Sequence, residues 1–227
     1  MRYEILLIDL DDTILDFGAG EAKAYSRALT EFGVSPIPAL LDRYREVNVC
    51  WWEKLERGEA DRDAILVERH RQMFSEQGLN LDPAAFEDSY HRNLGLEHDF
   101  LPGARELLDY LKGRGYRLFL ASNGVAETQY SRLAGAKLGP YFEALFISEQ
   151  IGFHKPDPAY FARCFARIPG FAREKTLMIG DSLSSDILGG IRAGIDTLWL
   201  NRKGKTLPPE LRPSYQVADL EEIRKIL

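Results

Sequence analysis

Hydrophobic and polar positions follow two regimes along the chain. Ile5 to Leu7 and on to Ile8 is a short apolar run, far below bilayer length and without helix caps, which predicts a central strand buried on both faces of a parallel sheet. For about eighty residues after it, apolar positions recur at helical spacing. Helices are predicted over 18–32, 39–55, 61–77 and 83–93, punctuated by Gly33, Pro36, Pro38, Gly58, Gly78 and Asp82-Pro83, with Asp61 as an N-cap. The second carries Val47, Trp51 and Leu55 on one face. From Leu101 the pattern alternates: helices over 103–112, 126–138, 158–168 and 183–193 each lead into or out of strands over 116–121, 144–147, 176–179 and 197–200. A short strand near 215–217 and a helix over 220–227 close the chain.

Helix and strand alternating at this spacing predict an α/β fold with a doubly wound, parallel, Rossmann-like sheet. The first strand belongs to that sheet, so the all-helical segment is an insertion. The expected division is a core of residues 1–16 plus 98–227 and a helical domain of residues 17–97. Their junctions, near residues 16–18 and 96–100, are the expected hinges.

Composition narrows the class. The 227 residues are 45% hydrophobic and 28% charged, an ordinary globular balance that excludes disordered and fibrous proteins. A formal charge of −6 and the lack of a basic stripe argue against binding a nucleic acid polymer. Cys50 and Cys164 have no metal-ligand or disulfide spacing and are expected as buried thiols. No segment is apolar enough for the membrane, and the chain begins on a strand instead of a signal peptide, so a cytoplasmic protein is expected.

The chemistry is expected at the carboxyl ends of the strands. The first strand runs into Asp9-Leu10-Asp11-Asp12-Thr13. Residues i and i+2 of an extended chain point the same way, so Asp9 and Asp11 can share a crevice. Crowded carboxylates repel and resist desolvation unless a cation sits among them. A hard divalent ion such as Mg2+, which takes oxygen ligands and keeps waters for a phosphate to replace, is one answer; an acidic turn that caps the next helix is the other. Ser122-Asn123-Gly124 follows the second strand and offers either an anion cradle or a cap with a turn. Lys155-Pro156 follows the third strand, where a point cation could balance carboxylates and phosphate, or simply sit in solvent; nothing pairs His154 with a ligand set. Asp181 and Asp186 follow the fourth, as metal ligands or as a helix cap. Their occurrence together, in order, each at a strand end, favours the chemical reading of all four.

These residues resemble the four motifs of the haloacid dehalogenase-like hydrolase superfamily, and the match spans the chain. The resemblance implies Asp9 as a nucleophile that forms an aspartyl-phosphate and Asp11 as the general acid/base. Ser122 and Lys155 are implied as the donors that orient and stabilise the phosphoryl group. It implies Mg2+ on Asp9, the Asp11 backbone carbonyl and Asp181, with Asp186 supporting directly or through water. An acid/base at Asp11 must hold a proton as the leaving group departs. Dehalogenases proper lack this second aspartate, so the branch implied is phosphatase, with the insertion as its helical cap. Asp11-Asp12, Asn48 with Trp51-Trp52, Ile147-Ser148-Glu149 and the run from Ser185 to Asn201 are further similar to bacterial pyrimidine 5′-nucleotidases of the YjjG/YfnB type. That likeness implies a small phosphorylated metabolite as substrate, with Asn123, Gly124, Asn48 and Trp51 as substrate-binding candidates. Other readings are a phosphatase of sugar phosphates, phosphoglycolate or acylneuraminate 9-phosphate, a phosphosugar mutase, or a non-catalytic binding module. The expected assembly is a monomer or homodimer.

Overall fold

The computed structural model describes residues 2–227. Its sheet has six parallel strands: β1 (Ile5–Ile8), β2 (Arg117–Ser122), β3 (Ala144–Ile147), β4 (Thr176–Gly180), β5 (Asp196–Leu200) and β6 (Tyr215–Val217). Their spatial order is β3-β2-β1-β4-β5-β6. The chain winds outward from β1 through β2 and β3, then returns to the other side of β1 to lay down β4. The crevice between the carboxyl ends of β1 and β4 is therefore the switch point where doubly wound sheets bind ligands.

Strand β1 is buried along its whole length. Leu6 and Ile8 pack in one core with Leu118, Leu120 and Leu177, while Ile5 and Leu7 pack on the opposite face with Phe119, Phe146 and Met178. This two-faced burial explains an apolar run without polar alternation.

Four helices separate β1 from the rest: α1 (Phe17–Glu31), α2 (Pro38–Glu56), α3 (Arg62–Gln77) and α4 (Pro83–Gly95). Asp16, Asp61 and Asp82 cap the first, third and fourth by accepting from backbone N–H groups one turn on. Gly78 ends α3 in the left-handed conformation, φ 63°. These helices bury a cluster of their own around Tyr25, Tyr44, Phe74, Phe86 and Tyr90. The two chain passages linking them to the sheet lie side by side: Asp16 N donates to Asp99 O, Leu101 N to Ile14 O, and Leu15 bridges Phe100.

Between the later strands lie α5 (Ala104–Gly113), α6 (Ala126–Gly135), α7 (Ser148–Ile151), α8 (Pro158–Phe165) and α9 (Leu188–Ala193), and α10 (Leu220–Ile226) follows β6. Three details depart from the sequence expectation. Helix α6 stops at Gly135 because Lys137 turns to φ 57° and the chain leaves the helix. The helix expected over 183–193 begins as a widened π turn, Leu183–Ile187, where Asp186 reaches back to the Ser182 N–H. Cys164 is buried as expected, but Cys50 is exposed, because it faces outward on α2. No helix among the described residues is long and apolar enough to cross a membrane.

Candidate active site

Each chemical residue reaches the crevice through its position at a strand end. Asp9 directly follows β1, its N–H bonded to Ile179 O of β4. Asp181 directly follows β4, and Asp186 comes back toward the same point through the π turn. Carboxylate oxygens of Asp9, Asp181 and Asp186 all lie within 4.8 Å of one another. Glycine at 180 makes this possible, since a Cβ there would fall 2.1 Å from Asp186 Oδ2.

Lys155 is buried among them. Its Nζ donates to Asp9 Oδ1 at 2.7 Å, Asp186 Oδ1 at 2.6 Å and Ala121 O at 2.7 Å. Burial opposes its charge, but the carboxylates of Asp186 and Asp9 outweigh that and hold it above the ordinary lysine range. Asn123 fixes the lysine from behind, accepting from Lys155 N and donating to Lys155 O. Lys155 is therefore neither solvated nor free to swing.

One ammonium does not balance three carboxylates. Burial pushes the Asp9 carboxyl well above its usual range; Lys155 pulls it down, and Asp186, Asp11 and Asp181 push it up again. Burial, Asp186 and Asp12 raise Asp181 to about 7 against the pull of Lys205 and Lys203. An all-oxygen donor set with uncompensated negative charge fits a hard divalent cation such as Mg2+.

Asp11 stands apart from that cluster. Its Oδ2 accepts from Gln129 Nε2 at 2.7 Å and its Oδ1 from Arg132 Nη1. Both oxygens of its carboxyl group thus face donors from α6. Ser122 Oγ accepts from Gln129 Nε2 at 2.9 Å and Gly124 N at 3.1 Å, so the hydroxyl keeps its single proton for another acceptor. Asp12 adopts φ 55° and pairs with Lys203 at 2.6 Å. That left-handed turn suits an aspartate that hydrogen-bonds locally, as Asp12 does with Gly18 N at 3.3 Å.

A cavity of about 190 Å³ opens over these groups. Asp9, Asp11, Asn123, Gly124, Lys155, Asp181 and Asp186 all line it. The helical segment supplies its other wall through Phe17, Trp52, Glu56, Arg69, Tyr90 and His91. Two expected substrate contacts do not line it. Asn48 is buried, donating to Glu21 Oε1 and accepting from Arg69 Nη1, both at 2.7 Å. Trp51 donates its indole N–H to Gln72 and carries the Lys54 ammonium over its ring at 3.8 Å. Trp52 faces the cavity instead, with Glu56 one turn along on the same face of α2.

Behind this wall Arg69, His70 and His91 converge on Glu87. Burial disfavours the Glu87 charge, yet Arg69 and the two histidines hold the carboxyl far below its usual range. His91 also reaches Thr128 of α6 at 2.7 Å. Away from the cavity, Arg62 on Ser148 Oγ and His154 Nε2 on Leu55 O at 3.2 Å are further contacts between the helical segment and the later part of the chain.

A haloacid dehalogenase-like hydrolase family model matches residues 3–194 of the chain. The chain belongs to that family. The resemblance inferred from the four motifs is borne out, and the fold and enzyme class come with it. Among related proteins, HAD-hydrolase YfnB of Bacillus subtilis is 40% identical over all of this chain and 96% of its own. Its crystal structure, described as bound to magnesium and revealing interdomain movement, superposes with a TM-score of 0.96, covering 100% of this chain and 99% of that one. Pyrimidine 5′-nucleotidase PynA of Streptococcus pneumoniae is 40% identical, covering 98% of this chain and 94% of its own. Pyrimidine 5′-nucleotidase YjjG of Escherichia coli is 28% identical over 100% and 99%.

Proposed function

We propose that this hydrolase is a phosphomonoesterase working through an aspartyl-phosphate on Asp9, and that its substrates are pyrimidine nucleoside 5′-monophosphates. The observation that carries the chemistry is the separation of two carboxylates in one cavity. Asp9 lies against Lys155 in the acidic cluster, whereas Asp11 is held apart on α6. An enzyme that forms and then hydrolyses an acyl phosphate needs such a division between nucleophile and acid/base. Full-length similarity to PynA and YjjG supports the substrate class.

In the first step an Asp9 oxygen attacks phosphorus and the bond to the ester oxygen breaks. That oxygen takes a proton from the Asp11 carboxyl, so the nucleoside leaves as a neutral alcohol. In the second step water attacks the phosphorus, Asp11 receives the water's proton, and the bond to Asp9 breaks to free phosphate, which restores the Asp9 carboxylate and the protonated Asp11 carboxyl. The Ser122 hydroxyl, with its proton uncommitted, binds a phosphoryl oxygen, and the Lys155 ammonium, held beside Asp9 by its three hydrogen bonds, stabilises through its charge the negative charge that develops there. Asp9, the Asp11 carbonyl, Asp181 and Asp186 would hold Mg2+, which supplies positive charge for the phosphoryl group when bound. Asn123 and Gly124 shape the floor.

We read residues 17–97 as the cap of a core made of residues 1–16 and 98–227. Trp52, Phe17 and Tyr90 offer aromatic surface for a base. Two free cysteines, Cys50 and Cys164, accord with a reducing cytoplasm. The test is phosphate release with magnesium across deoxy- and ribonucleoside monophosphates, sugar phosphates, phosphoglycolate and an aryl phosphate. Preference for dUMP and dTMP is expected, with Asp9→Asn inactive but folded. Turnover by Asp9→Asn sinks the mechanism; preference for sugar phosphates keeps the chemistry and discards the substrate.

A further inference from the structure

We propose that Arg132 and Gln129 are the positioning residues for Asp11, fixing its carboxylate against the leaving-group side of the cavity and tying it to the hinge of the cap. The proposal rests on the acid/base role given to Asp11 above. Both side chains come from α6, three residues apart and so on one face, and both are 1% exposed despite their polarity. Between them they take both oxygens of Asp11, Gln129 Nε2 on Oδ2 at 2.7 Å and Arg132 Nη1 on Oδ1. Two donors on two oxygens fix the plane of the carboxyl group as well as its place, and each oxygen keeps a second lone pair that can carry the proton destined for the leaving group.

The donors are themselves held. Gln129 Oε1 accepts from Arg132 Nη1 at 2.9 Å, and Gln129 Nε2 also donates to Ser122 Oγ at 2.9 Å. One amide thereby links Asp11 to the buried Ser122 hydroxyl, given the phosphoryl-binding role above. Its reach requires glycine at 124, where a Cβ would fall 2.2 Å from Gln129 Nε2. Arg132 Nε donates to Glu97 O at 2.9 Å. Glu97 lies on the chain's return from the helices, two residues before Asp99 O receives Asp16 N. Where that hinge sits therefore sets where the guanidinium, and with it Asp11, can be.

A group that only stabilises the fold slows every substrate alike. A group that positions a proton donor matters when the leaving oxygen needs a proton and hardly at all when it leaves as a stable phenolate. The value of kcat/KM reports events up to the first irreversible step, here departure of the leaving group, so it isolates that difference. The experiment compares kcat/KM for an alkyl ester, dUMP, with that for p-nitrophenyl phosphate, both at saturating magnesium, in Arg132→Met, Arg132→Lys, Gln129→Met and Asp11→Asn, with thermal melts alongside.

The expected result is a fall of roughly 10- to 100-fold on dUMP in Arg132→Met and Gln129→Met, at least ten times the fall on the aryl ester. Arg132→Lys recovers part of it, since it keeps a charged donor but cannot span both Asp11 and Glu97. Equal losses on the two esters overturn the proposal. If Arg132→Met does not fold, Gln129→Met decides alone. The Asp11→Asn control separates the layers: no leaving-group discrimination in that variant removes the acid/base role itself, whereas discrimination there and none in the α6 variants removes only the positioning inference.

Discussion

The contact between Gly180 and Asp186 gives the sharpest handle on the site. Gly180 does not occupy the left-handed region, so alanine is compatible with its backbone; what it lacks is room. A Cβ at 180 falls 2.1 Å from Asp186 Oδ2, 2.3 Å from its Cγ and 2.7 Å from its Cβ, all inside the 3.0 Å that real Cβ contacts respect. The Asp186 carboxylate must move by close to an ångström. It cannot move freely, because it is 1% exposed and held by Lys155 Nζ at 2.6 Å and Ser182 N at 3.1 Å. Lys155 also holds Asp9, so the displacement passes to the proposed nucleophile.

Overpacking a close-fitted interior costs about 1–3 kcal/mol, partly offset by the roughly 0.4–1 kcal/mol that Gly→Ala gains from the unfolded chain. The net cost of roughly 0–2.6 kcal/mol means that Gly180→Ala is expected to melt no more than about 10 °C lower, at about 2–4 °C per kcal/mol for a chain of this size. Catalysis suffers far more, since a misplacement of about 1 Å at a reacting group can cost about 100-fold. The assay is magnesium-dependent phosphate release alongside a thermal melt. A folded Gly180→Ala with wild-type kcat/KM and magnesium requirement refutes the reasoning, because Asp186 would then not matter where it stands.

Three further outcomes are expected. Magnesium raises the melting temperature of the wild type by about 5–10 °C at a hundred times its Kd, from about 2.7 kcal/mol of binding linkage, and EDTA removes the rise; a similar rise in Asp181→Asn contradicts the assignment of that ligand. Trp52→Ala raises KM for a nucleotide by roughly 5- to 100-fold, the scale of losing about 1–3 kcal/mol of base stacking, while Trp51→Ala leaves KM nearly alone; the reverse order rejects the cap wall described here. Acid weakens the cap through His70, whose pKa burial pushes down to about 4 although Glu87 pulls it up. Because the unfolded chain binds the proton near pH 6.5 and the folded chain does not, stability falls as pH drops from 7 to 5, by about 2 kcal/mol. Glu21, raised by burial to about 7, works in the opposite direction, so the quantity to measure is the difference in urea-unfolding free energy between wild type and His70→Phe at the two pH values; identical slopes disprove the His70 contribution.

The parts of the site legible in the sequence are those set by strand ends. In a parallel sheet a buried strand reads as an unbroken apolar run, and the residue after it lies at the ligand crevice whatever the helices do. Asp9 after Ile8 and Asp181 after Gly180 needed only that rule to be brought together, and Lys155 followed from the same logic with a proline to fix it. The π turn that returns Asp186 was not legible, because it goes with a local tie between its carboxylate and the Ser182 N–H and a long-range one to Lys155 Nζ, neither of which helical periodicity encodes.

The cap wall was misread for a related reason. Neighbouring residues on a helix point about 100° apart, so choosing Trp51 over Trp52 depended on how α2 packs, which its own pattern leaves open. Val47 and Leu55 do face the core, and that stripe drew Trp51 with it; the i,i+4 pair Trp52 and Glu56 marked the other face. Asn48 was a candidate only through the likeness to pyrimidine nucleotidases, and in the structure it serves Glu21 and Arg69 within the bundle. Gln129 and Arg132 drew no reading from the sequence, since nothing in a helix pattern marks two polar residues three apart as buried, although they stand on the helix just after Ser122-Asn123-Gly124 and line the crevice. A buried arginine leaves no trace in sequence until its carboxylate is located. Here that carboxylate is Asp11, which belongs to the motif read first. The most recognisable segment of the chain therefore depends for its geometry on one of the least recognisable, and the separation of the Asp9 and Asp11 carboxyl groups, on which the proposed division of roles rests, is a property of the α6 contacts as much as of the Asp9-Leu10-Asp11 spacing.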